Sequence, residues 1–244
     1  MSRRGTLLFG WTLALLGIAV FTRLGVWQLA RMHEKQAMLD GVHATLLHRS
    51  SQPLASAADA QRLHAYDWTS ADGHFIDAPA LLLDNQQHDG RSGVRAYRVF
   101  QSADATVSPV LAELGWLPVP GNRQMPVVAP ITGMQHVAGL LSPPPSAGFV
   151  RAVVVPQANG TLLTTSVDIA LLRRNLQLPT LAARVLKLDP ALPIGYPRDL
   201  DILPNTLPPA RHLGYAVQWF GLALTVLATA LVLTFRKPGA SRTP

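Results

Sequence analysis

The residues best suited to chemistry stand together just ahead of the C-terminal apolar run, in Arg211-His212-Leu213-Gly214-Tyr215-Ala216-Val217-Gln218-Trp219-Phe220. At helical spacing His212, Tyr215, Ala216 and Trp219 share one face, with Trp219 about 10 Å deeper than His212. Such a face suits a flat amphipathic ligand. A neutral imidazole can ligate haem iron, aromatic rings can flank the macrocycle, and Arg211 or Arg23 can pair with its carboxylates. The same residues suit a plain interfacial helix end, because Tyr and Trp collect at the membrane–water boundary. The residues alone leave both readings open. Trp27, Gln28 and Arg31 near the first apolar run divide the same way, with Trp27 as an interfacial anchor and Arg31 as a snorkelling cation.

Elsewhere the chain offers little chemistry. It has no G-x-S-x-G elbow, no phosphate-binding G-x-x-x-x-G-K-[ST] loop, no H-E-x-x-H and no G-x-G-x-x-G after a strand, so no enzyme is indicated. His33, His43, His48, His64, His74, His88 and His136 fit no metal-ligand spacing and read as surface histidines. Asp67, Asp72, Asp77, Asp84 and Asp89 sit among turn signals. The absence of cysteine excludes disulfides, thiolate-held metals and thiol catalysis, and leaves His, Met or a carboxylate as the only possible metal ligands.

The elements that carry these residues follow from the hydropathy. Charged residues make up only 14% of the 244, against roughly 25% in a typical soluble domain, and the apolar excess gathers at the two ends. From Leu213 to Phe235 about 23 residues pass without charge, roughly 35 Å of helix, enough to cross a bilayer core. The first run is shorter, with roughly 18 uncharged residues from Gly5 to Thr22 before Arg23. Arg3 and Arg4 ahead of it resemble a signal-peptide n-region, but no A-x-A cleavage site follows, which favours an uncleaved anchor. The net charge of +7 comes without any long basic run, and the basic residues flank the apolar segments, which argues for membrane topology and against nucleic acid. Arg3 and Arg4 at one end, with Arg236, Lys237 and Arg242 at the other, place both termini inside by the positive-inside rule and the central domain outside.

Between the helices, residues 28–47 have helical composition that Ser50, Ser51 and Pro53 interrupt. Short apolar or β-branched runs follow at 73–76, 80–83, 96–101, 107–114, 137–141, 149–155 and 161–165, punctuated by Gly, Pro and Asn-Gly turns. They predict an antiparallel β-rich domain, with a hairpin at Asn159-Gly160 that Pro156 confines to an edge. A short helix is expected from Asp168 to Leu176, and the proline-rich stretches at 143–145 and 188–209 read as connectors.

Two motifs at the helix ends resemble a known family, the surfeit locus protein family of cytochrome c oxidase assembly factors. Leu24-Gly25-Val26-Trp27-Gln28-Leu29-Ala30-Arg31, followed by Lys35, is similar to its L-G-x-W-Q-x-x-R-x-x-x-K. His212-Leu213-Gly214-Tyr215-Ala216-Val217-Gln218-Trp219-Phe220 is similar to its H-L-x-Y-A-x-x-W-F. Weaker matches lie between, at Gly73-His74-Phe75, at Asn85 with Gly90 and Gly93, at Gly115-Trp116-Leu117-Pro118 and at Gly139-Leu140-Leu141. Two positions depart from the family pattern: Glu113-Leu114 precedes the central Gly-Trp where Asn-Arg is usual, and Asn205 stands farther ahead of His212.

The resemblance implies a non-enzymatic factor that binds haem a and assists its insertion into oxidase subunit I. His212 would be the axial contact to the haem iron, with Tyr215, Trp219, Arg211 and Trp27 around it and Gly25, Trp27, Gln28 and Arg31 as the family motif. The alternative is a chaperone that stabilises an oxidase subunit by helix packing without haem. The expected partners are subunit I, a haem a synthase and membrane lipid, with no nucleic acid. The expected architecture is a two-helix transmembrane hairpin with a β-rich extramembrane domain. Residues 1–30 form the first helix, 31–211 the outer domain, 212–236 the second helix and 237–244 a cytoplasmic tail, in a bacterial inner membrane with a periplasmic central domain.

Overall fold

The computed structural model describes residues 3–145, 152–202 and 207–236. The tail from 237 on, the first part of the strand expected at 149–155, and Asn205 lie outside the described residues, as do the side chains of Arg3 and Arg4. The chain divides into two compact units, residues 1–39 with 206–244 and residues 40–205. Two long apolar helices thus flank a sheet-rich domain.

The first unit is built from α1 (Arg3–His48) and α3 (Pro209–Phe235), both long and apolar enough to cross a bilayer. α1 runs on through the 28–47 stretch into the second unit and stops at Arg49, whose positive φ of 45° is a left-handed helix ending. α3 starts at Pro209, a residue suited to the first turn because its missing N–H has no helical partner there.

The second unit is a nine-stranded sheet: β1 (Ser51–Gln52), β2 (Asp67–Phe75), β3 (Leu81–His88), β4 (Arg91–Ser102), β5 (Val110–Pro118), β6 (Gln135–Ser142), β7 (Val154–Pro156), β8 (Leu162–Thr164) and β9 (Val185–Leu188). Their order is β1-β2-β6-β9-β5-β4-β3-β8-β7, and an extra pairing of β2 with β4 closes β2, β6, β9, β5 and β4 into a ring. The sheet is mixed, which corrects the antiparallel expectation: β1–β2, β3–β8 and β5–β9 are parallel. The β5–β9 pair arises from β9, a strand hidden at the start of the proline-rich stretch. It returns after a long crossover through α2 (Ile169–Asn175) and inserts between β5 and β6, antiparallel to β6 and therefore parallel to β5.

Strand alternation gives two cores. Val94, Ala96 and Phe100 of β4, Val110, Ala112 and Leu114 of β5, and Leu186 and Leu188 of β9 fill one. The opposite face carries Tyr97, Val99, Leu111 and Val185, covered by Leu172 of α2, whose N-terminus is capped by the Asp168 carboxylate accepting from the Leu171 N–H. The turn chemistry follows the sequence. Asp89 and Gly90, with φ of 49° and 72°, make the two-residue loop joining β3 to β4, and the expected hairpin at Asn159-Gly160 joins β7 to β8 with β7 at the sheet edge. Gly115 and Gly139 are glycine for steric reasons. Gly115 has φ 124° beside the Tyr196 carbonyl, and a Cβ on Gly139 would fall 2.0 Å from the Lys187 carbonyl oxygen.

Two buried ion networks, unforeseen in the sequence, tie the sheet. Tyr97, Glu113 and Lys187 are directly paired across β4, β5 and β9, and Glu113 accepts from both Arg95 and the Tyr97 hydroxyl. Glu113, one of the departures from the family pattern, is therefore the centre of a buried charge cluster. In the second network, the fully buried Arg184 donates to Asp67 at 2.8 Å and to the carbonyls of Ala65 at 2.7 Å and Leu141 at 3.0 Å.

Burial alone would raise the Asp67 carboxyl, but the hydrogen bonds and charges of Arg62 and Arg184 outweigh it and hold its pKa below the usual range. A carboxyl depressed in the folded state contributes stability that is present above its unfolded value of about 3.9 and is lost as pH falls through the folded value. Asp67→Asn is therefore expected to destabilise the domain at neutral pH, and the gap to wild type should narrow below about pH 4. Urea unfolding midpoints across that window measure it, and a gap that does not change with pH would contradict the assignment.

Candidate functional site

The first unit places its polar residues along one seam. On α3, His212, Ala216, Trp219, Ala223 and Val226 recur at intervals of four and three, the spacing that keeps one face against a neighbouring helix. His212, Ala216 and Ala223 are buried. Contacts pair this face with α1 in antiparallel register: Trp11 Nε1 donates to Thr234 Oγ1 at 3.0 Å, Gly17 faces Val226, and Phe21 stacks on Trp219 at 5.7 Å between ring centroids. Gly25 meets the Phe220 ring so closely that a Cβ there would come within 2.7 Å of it. Gln28 meets His212, and Lys35 Nζ donates to the Leu207 carbonyl at 2.6 Å.

His212 is the focus of this seam. The residue is 8% exposed, its Nδ1 lies 2.7 Å from Gln28 Oε1, and the buried Nε2 has no hydrogen-bond partner among the described residues. Buried ring nitrogens are ordinarily satisfied, so an orphaned one is a feature that needs a reason. Among the described residues no group of three or more His, Asp or Glu side chains is placed to hold a metal ion.

The structure brings some of the expected residues together and separates others. Gly25, Gln28, Trp219 and His212 line one interface. Tyr215, 40% exposed, and Trp27, 53% exposed, turn away from it, and Arg211 is exposed. The face expected to present His212, Tyr215, Ala216 and Trp219 together is therefore split, because Ala216 is the position that packs on α1. Arg31 pairs with Glu34 at 2.7 Å on the exposed side of α1. The sequence held both partners of the His212–Gln28 contact in its two motifs, but nothing in it linked positions 184 residues apart.

The family model for the SURF1 family matches residues 15–224, which include both helix-end motifs and the whole sheet domain. The chain belongs to the SURF1 family. A SURF1-like protein of Rickettsia felis is similar to it along nearly the full length, 25% identical over 228 residues that cover 89% of this chain and 93% of the relative. Against SURF1 membership, the seam gains meaning: the Gln of the first motif and the His of the second are direct partners in space.

Proposed function

We propose that this SURF1 protein is a membrane-anchored assembly factor for a haem–copper cytochrome c oxidase, which binds haem a at the outer ends of its two helices and assists insertion into subunit I. Membership in a family of oxidase assembly factors supports the general role. The observation that carries the haem reading is His212 Nε2, a buried ring nitrogen with a lone pair and no partner, backed on its other nitrogen by Gln28. That donor chemistry fits a haem iron. In this reading His212 would hold the haem iron and Trp219, on the same seam, would lie beside the macrocycle, while Tyr215, Trp27 and Arg211, which are exposed away from the seam, would meet the cargo only at its rim. The protein holds and orients its cargo, and no residue is assigned a catalytic step.

The length and apolarity of α1 and α3 support two spans of a bacterial inner membrane. The flanking basic residues support cytoplasmic termini and a periplasmic sheet domain, with a haem a synthase as the natural source of cargo. The second reading, a chaperone acting through helix packing alone, draws on the burial of Nε2, which closes the seam to a ligand until the ring is uncovered.

The test is purification of the full chain in detergent from cells able to make haem a, with quantitation of haem per protein. Stoichiometric haem a is expected. Its absence, with oxidase assembly still dependent on the protein, would overturn the haem reading in favour of the chaperone.

A further inference from the structure

The contact between Gln28 and His212 decides which nitrogen of the ring is free. A glutamine side-chain oxygen only accepts, so the 2.7 Å contact from Gln28 Oε1 requires Nδ1 to carry the proton of a neutral imidazole. The opposite tautomer would need the Gln28 amide turned so that its NH2 donates to Nδ1, and it would leave an N–H at Nε2 buried without an acceptor, which is the costlier arrangement. The Nδ1–H form leaves one lone pair at Nε2, the arrangement a metal-ligating histidine needs, with its second nitrogen donating to an outer partner.

We infer that Gln28 is the positioning residue of the His212 site: from the opposite helix it fixes the Nδ1–H tautomer and the ring orientation, making Nε2 the atom that meets the iron of a haem. This rests on the haem reading above. Gly25 lies one turn earlier on α1, where the missing side chain lets the Phe220 ring pack against the helix beside this contact. The choice of an amide also matters. A carboxylate at this position would draw the Nδ1 proton and make the imidazole a stronger donor, whereas a neutral acceptor aligns the ring without adding that push. A cargo that has to leave is better served by the amide.

The experiment uses the full chain in detergent with 15N-labelled histidine, the His212 signals being assigned by their loss in His212→Ala. Wild type should show His212 protonated at Nδ1, and Gln28→Leu should lose that single state. An Nε2-protonated ring in wild type, or an unchanged tautomer in Gln28→Leu, overturns the inference. Titration with ferric haem a should then show affinity reduced about 10- to 100-fold in Gln28→Leu, the range typical of lost outer-shell partners, and regained or exceeded in Gln28→Glu. The Gln28→Glu variant keeps an acceptor of the same length, so its rescue separates positioning from a folding defect. Wild type binding haem a while Gln28→Leu binds equally well overturns the role of Gln28 alone. Wild type binding no haem a overturns the reading beneath it.

Discussion

Replacing Arg184 with methionine is expected to cost the sheet domain about 3–5 kcal/mol, the range seen when one partner of a buried ion pair is removed. The size follows from what the guanidinium does. Arg184 is completely buried and supplies hydrogen bonds to Asp67, Ala65, Leu141 and Ser56, which belong to β2, the approach to it, β6 and the 310 turn at Leu54–Ala58. Methionine fills similar space but leaves a carboxylate half-served by Arg62 and strips donors from buried carbonyls. Arg123→Met is the control, because Arg123 pairs with Asp84 at the surface and such pairs contribute at most about 1 kcal/mol. Urea unfolding followed by the emission of the buried Trp68 and Trp116 measures both. Equal, small losses in the two variants would show that the Arg184 network does not hold the fold.

His212→Ala should remove haem from the purified protein. On the proposed reading, losing the iron-binding nitrogen is expected to cost more than the roughly 10- to 100-fold typical of an outer partner. The sheet domain is a separate compact unit whose cores contain no residue of α3, so its urea midpoint should stay at the wild-type value. Arg211→Ala, at the exposed neighbouring position, is expected to lower haem content far less. Unchanged haem in His212→Ala would remove this residue from the role and send the search for a ligand elsewhere in the chain.

The helices were legible in the sequence because apolarity over a run of residues is a local property. Strands β3 to β6 and the β7–β8 hairpin were legible at least in part for a related reason, since alternation and turn residues act over a few positions, whereas of β2 only the end at Gly73–Phe75 was, because Asp67 and Asp72 read as turn residues. β9 was not. Val185–Leu188 is an apolar run of four beside a proline-rich stretch, and it is a strand only because β5 and β6, far away in the chain, leave a slot between them. Closure of the ring through β2 and β4 has the same origin, as do the buried charges: Glu113 and Lys187 look like solvent residues until register sets them side by side. At the candidate site the motifs marked the right segments. Their helical periodicity did not reveal that Ala216 faces α1 while Tyr215 and Trp27 face away, because periodicity defines a face without saying what covers it.

The antiparallel seam between α1 and α3 has a further consequence. Two hydrogen bonds between side chains of the two helices stand near opposite ends, Trp11 with Thr234 and Gln28 with His212, and the Phe21–Trp219 and Gly25–Phe220 contacts lie between them. Each adds little to helix association, since such bonds between membrane helices average about 0.6 kcal/mol. Sliding one helix by a single residue breaks both at once and moves the Phe220 ring off Gly25. The pair works as the buried asparagine of a coiled coil does, giving up adhesion to select one alignment. The bond at Trp11 thus serves the same alignment that brings Gln28 to His212.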